Sequence, residues 1–214
     1  SLALLIHRGL TGYKIDQKGG VMLVGDLATD VGTSSDDNKT WTFTLKDGLK
    51  WADGKELTVD DVRHGIERCW APFVTEGANY VQQALTGKGD WRPEYEGPYD
   101  GKHLDSIVTD KAKKTITFKL AEARPDFNFM LAMHCYSAAP VHADTKEKYD
   151  KDPLSCGPYV KKSHSIDKSM TLARNKHWDP KTDSIRNAYP DGFEFEFGAT
   201  ALESTDRFIA DQGK

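Results

Sequence analysis

The stretch WTFTLKDGLKWADGKELTVDDVRHGIERCW, Trp41 to Trp70, is compatible with few local structures. Trp41, Phe43 and Leu45 alternate with Thr42, Thr44 and Lys46, the period of a strand that buries one face. Asp47-Gly48 and Asp53-Gly54 supply backbones that tolerate positive φ, so two turns follow. Thr58 precedes Asp61 at the spacing of a capping box, and Val59, Val62, Ile66 and Trp70 recur at helical intervals. This predicts a helix over about 58–70, with Asp60 and Asp61 favourably placed at the positive end of its dipole.

The rest of the chain reads in the same mixed way. VMLVGDLA (Val21–Ala28) is an apolar run, and Thr115–Leu120 alternates with Ile116, Phe118 and Leu120 inward. Pro125 opens a helix, PDFNFMLAM, and strands are expected at Met170–Ala173 and Phe193–Phe197 before a polar helix over 201–211. Residues 86–103, rich in Gly, Pro and aromatics, read as a long ordered loop. Trp41, Trp51, Trp70 and Trp178 are expected in the core and Trp91 at the surface. Strands and helices interleave without a strict βαβ rhythm, so the fold class is mixed α/β (α+β).

Several function classes find no support. With 29 Lys and Arg against 33 Asp and Glu, the net charge of −4 argues against nucleic acid as the main partner. No apolar run approaches the roughly 20 residues of a membrane span. GxSxG, P-loop, HExxH, GxGxxG and EF-hand patterns are missing, so no catalytic residue, metal site or cofactor is expected. Asp60/Asp61 and Glu194/Glu196 have structural explanations, at a helix start and on the polar face of a strand. Cys69, Cys135 and Cys156 form no CxxC, and small buried hydrophobes is the simplest reading of them.

The opening block resembles a signature of the family 5 extracellular solute-binding proteins, the oligopeptide, dipeptide and nickel receptors of bacterial ABC importers. That family reads "YTFTLRDGVKF", then "DGxPLTAxDV", then a helix ending in "ER"; the counterparts are Trp41–Trp51, Asp53–Val62 and Glu67-Arg68. Further pieces follow in the family's order. LIHRGL resembles "LYEGL", Gly25–Ala28 resembles "PDLA", and Lys114–Leu120 resembles "TVTFxL". Pro125-Asp126-Phe127 precedes a Leu-containing helix, Gly157-Pro158-Tyr159 matches "GTGPY", and Leu172–Trp178 resembles "LxRNPxYW". The style is similar to that of actinobacterial members.

The resemblance implies a periplasmic-binding-protein-like class II lobe: a sheet domain with an inserted subdomain, the second lobe missing. Residues 1–40 and 135–214 would form part of the sheet domain, and 41–134 the inserted subdomain. The implied function is a non-catalytic receptor that binds oligopeptides in an interlobe cleft and delivers them to a transmembrane permease. The full-length form would be extracellular and held to the membrane by a lipid anchor. The same fold binding a nickel chelate, an oligosaccharide or another small solute is the nearest alternative; a secreted hydrolase is the alternative of another class. Residues carried over to the ligand side are His7 and Arg8, Asn79 and Tyr80, and Tyr136 and Ser137. Arg8 stands where many members have Glu, and an Arg there offers a bidentate partner for a ligand carboxylate. Cys135 and Cys156, in segments flanking the cleft wall, are implied as a disulfide, with Cys69 buried on its helix.

Overall fold

A computed structural model describes residues 2–210, apart from the side chains of Glu94 and Ala201. The chain begins with one helical turn, α1 (Ala3–Ile6), and an antiparallel hairpin of β1 (Thr11–Ile15) and β2 (Val21–Gly25). Next come β3 (Thr33–Ser34) and β4 (Thr40–Thr44), then β5 (Ile107–Asp110) and β6 (Thr115–Lys119). These four form an antiparallel sheet of order β3-β4-β6-β5. Helices α2 (Val59–Glu67) and α3 (Tyr80–Thr86) lie between β4 and β5 in sequence, and α4 (Phe127–Met130) follows β6. A second antiparallel sheet, β7 (Tyr159–Ser165), β8 (Ser169–Arg174) and β9 (Gly192–Glu196), precedes the closing helix α5 (Ala201–Ile209). The helix expected over 201–211 is thus α5, and Asp211 lies outside the described residues.

The alternation read from the sequence is the inward face of the larger sheet. Trp41 pairs with Phe118 and Phe43 with Ile116 across β4 and β6, all four at most 5% exposed. The Phe43 and Phe118 rings meet edge to face at 5.9 Å, a contact that adds about 0.5–1.5 kcal/mol to the burial itself. Helix α2 starts with both halves of its capping box in place. Its Val59, Val62 and Ile66 stripe is buried in the same core. Gly48 and Gly54 have φ of +76° and +87°, as the two turns require.

Packing departs from the sequence reading at three places. Trp91 is buried at 7%, because its ring stands edge-on to Trp70 at 5.6 Å. Trp178 is only half-buried, and its indole N–H donates to Asp183. The helix after Pro125 is just one turn, Phe127–Met130, with Phe127 as its core anchor.

The large core cluster runs from Leu10, Leu27 and Ala28 through the sheet to Tyr136, Ala138 and Cys156, so it crosses positions 40/41 and 134/135. A smaller cluster joins Ile6, Tyr159 and Leu172 beneath the second sheet. The segment between the clusters is stitched at both ends. Ile6 carbonyl accepts from Cys156 and Gly157 N–H at 3.0 and 2.8 Å, and Arg8 carbonyl accepts from Ala138 N–H at 3.1 Å. These bonds bring residues 6–8, 138 and 155–157 side by side.

Candidate ligand-binding site

Beside that junction lies a cavity of about 220 Å³. His7 enters it from the stitched segment, Gly65, Arg68 and Cys69 from the end of α2, and His134, Cys135 and Ser137 from the turn before Ala138. Glu76, Tyr149 and Asp150 complete the rim. A narrower pocket of about 30 Å³ shares Cys69, Val74, Glu76 and Cys135 with it and reaches Asn79.

The wall is close-packed because α2 carries Gly65 where it meets the extended segment 137–139. A Cβ on Gly65 would come within 2.1 Å of Ser137 carbonyl. Glycine inside a helix costs about 1 kcal/mol in propensity, and here it permits backbone to lie against helix. Asp61 fixes the approach: its carbonyl accepts from Ala139 N–H at 3.1 Å and its carboxylate from Val141 N–H at 3.0 Å.

Arg68 anchors the other side. It donates to Lys146 carbonyl at 2.8 Å and to Asp150 at 3.2 Å, and its guanidinium lies over the rings of Phe73 and Tyr149. Behind it Asp144 meets His64 Nε2 at 2.8 Å and accepts from Tyr99 hydroxyl at 2.7 Å. Burial opposes the Asp144 charge, but His64, Tyr99 and Arg68 outweigh it and hold the carboxyl below its usual range. His7 goes the opposite way. Desolvation lowers its pKa to about 4, helped by His134 and Arg68 and resisted by Asp150, so it faces the cavity as a neutral imidazole at neutral pH.

The six carried-over residues divide. His7 and Ser137 line the main cavity, and Asn79 lines its narrow extension. Tyr80 is half exposed and lines neither. Arg8 lines neither pocket: it is 2% exposed, 2.8 Å from Asp26 and 3.6 Å from Asp183. Three more of its N–H groups donate to Thr182 Oγ1, Thr182 carbonyl and Asp26 carbonyl. Buried carboxylates claim the guanidinium that a ligand carboxylate would need. Tyr136 is likewise buried at 1%, its hydroxyl 2.8 Å from Ala78 carbonyl and from Gln82 Oε1 while it accepts from Val81 N–H. It seats α3 against the cavity wall.

The implied Cys135–Cys156 disulfide is not formed in this structure, where Cys69, Cys135 and Cys156 are all unbridged. Cys156 is buried in the large core with its N–H committed to Ile6, whereas Cys135 carbonyl accepts from the Cys69 thiol at 3.1 Å. Arg68, Glu76 and Asp150 entered no sequence-based site; the only signal for Arg68 was the Glu67-Arg68 pair at a helix end.

Comparison with known proteins supplies the family. Residues 22–213 match the model of the bacterial extracellular solute-binding proteins, family 5 Middle. The chain belongs to that family. This family 5 chain is 29% identical over 163 residues to the oligopeptide-binding protein OppA of Bacillus subtilis, covering 72% of itself and 28% of that relative. It is 30% identical over 175 residues to the dipeptide-binding protein of Lactococcus lactis, covering 78% of itself and 29% of that relative. Among solved structures, clavulanic acid biosynthesis oligopeptide binding protein 2 superposes with a TM-score of 0.90 at 37% identity, over 99% of this chain and 38% of that one. The family 5 chain thus spans under a third of the curated relatives' length.

Proposed function

We propose that this chain supplies one wall of the ligand cleft of an extracytoplasmic receptor, which captures short peptides and hands them to the permease of an ABC importer without catalysing a reaction. The carrying observation is the cavity itself, where His7, Ser137 and Asn79, from three distant segments, come together on a two-part pocket. The names of the relatives, oligopeptide- and dipeptide-binding proteins, support peptide as the ligand class. A neutral imidazole, a hydroxyl, an amide and main-chain groups can hydrogen-bond a peptide backbone whatever its side chains, as an added strand would be held. Glu76 and Asp150 on the rim suit a cationic group. Closure of a second lobe over this wall would complete the site and present a surface to the permease.

In the same reading, residues 1–40 and 135–214 would belong to the sheet domain and 41–134 to an inserted subdomain, the two sharing one core. A lipid anchor would hold the full-length receptor at the outer face of the membrane. Native mass spectrometry of the full-length protein, purified from its host without refolding, tests the assignment. Adduct masses resolving into short peptides are expected; a single sugar or metal-chelate mass would overturn the ligand class while keeping the fold.

A further inference from the structure

The cavity wall carries two thiols that the binding role does not use. Cys69, on the 3-10 turn that extends α2, and Cys135, on the turn before Ser137, both line the main cavity and its narrow extension. The Cys69 thiol touches the Cys135 carbonyl at 3.1 Å, so the two residues are in direct contact across the wall. Cys135 is half-buried and open to the pocket, Cys69 is 8% exposed behind it, and Cys156 is sealed in the large core. We infer that Cys69 and Cys135 form a disulfide site in the wall of the ligand pocket, oxidised by exchange with a small-molecule disulfide that enters through the cavity.

The order of events follows from exposure. The Cys135 thiol gives up its proton and attacks one sulfur of the small disulfide, expelling a thiolate that is then protonated. The Cys69 thiolate next attacks the Cys135 sulfur, and the second small thiol leaves. Two protein thiols are oxidised to one disulfide while one small disulfide is reduced to two thiols. Burial raises both thiols, Cys69 to about 12, so exchange is slow at neutral pH and quickens as pH rises. The cross-link ties the end of α2 to the 134–137 turn and fixes the wall between the two pockets. The cross-linking chemistry is independent of the ligand; its persistence in the cell rests on the extracytoplasmic reading, because disulfides last in oxidising compartments.

The test is a non-reducing tryptic map of the full-length protein after equilibration in glutathione buffers from reducing to oxidising, with free thiols alkylated. A peptide pair joining Cys69 to Cys135, lighter by two hydrogens, is expected to rise with the oxidised fraction while Cys156 stays a free thiol. Cys135→Ser and Cys69→Ser should each abolish the pair, and Cys156→Ser should leave it unchanged. If Cys69→Ser fails to fold, the half-buried Cys135→Ser decides. A pair containing Cys156, a persistent glutathione adduct on Cys135, or three free thiols in folded protein under oxidising buffer would each overturn the assignment. A failed cross-link leaves the peptide-adduct result untouched, so the two readings stand or fall separately.

Discussion

Arg8 Nε lies 2.8 Å from Asp26 Oδ1, and neither side chain exposes more than 2% of its surface. Arg186 reaches the other oxygen of Asp26 at 2.8 Å and Asp183 at 3.1 Å, so two cations and two carboxylates share one buried cluster. Breaking such a set by removing one member leaves charge uncompensated, at a cost of about 3–5 kcal/mol. Arg8→Met should therefore lower the urea unfolding free energy by about that amount, softened where Arg186 takes over Asp26. A loss under about 1 kcal/mol would show that Arg8 is not a structural ion.

Gly65 predicts a different failure. Its missing side chain admits Ser137 carbonyl, and Gly65→Ala must move the helix or the 137–139 backbone by more than side-chain rotation allows. Overpacking of this kind costs about 1–3 kcal/mol, outweighing the helix-propensity gain of about 1 kcal/mol. A thermal melt at or above wild type would contradict the close approach.

His7 makes stability depend on pH in a defined window. Its folded pKa, about 4, lies below the ordinary 6.5, so the folded state binds fewer protons between those values. The contribution is whole above 6.5 and is lost as pH falls toward 4. Asp144 and Asp183, both held below the usual carboxylate range, lose their contributions at still lower pH. Urea midpoints measured from neutral to acid pH should fall less steeply in His7→Gln than in wild type; parallel curves would remove His7 as the cause.

Ser137 tests the cavity directly. On the proposed peptide-binding role, Ser137→Trp in the full-length protein fills the pocket and should weaken peptide affinity by about tenfold or more, which is about 1.4 kcal/mol. Tyr80→Ala, outside both pockets, should leave affinity within about twofold by calorimetry. Equal effects from the two would move the site elsewhere.

The sequence is most legible where a local rule decides the outcome. Alternation places Trp41, Phe43, Ile116 and Phe118, the Thr58–Asp61 box starts α2, and Asp-Gly pairs mark both turns. It is least legible where a residue's partner is remote. Nothing near Arg8 in the chain announces Asp183 and Thr182, which convert a plausible ligand arginine into a buried ion. Trp91 sits in a Gly/Pro-rich stretch that looks exposed until Trp70 arrives from another element to cover it. The cavity depends on the same kind of meeting, because Arg68 and Asp150 are joined only in the fold.

Ile6 belongs to the small cluster and Leu10 to the large one, only a few residues apart on a segment whose carbonyls are bonded on both sides. The two sheets are therefore not free to breathe separately: opening β7–β9 to solvent pulls on the segment 6–10 that joins the two cores. Amide hydrogens in β8 and β4 should exchange as one cooperative unit rather than as two. The two sheets and the cavity wall between them then keep their shape as a single block.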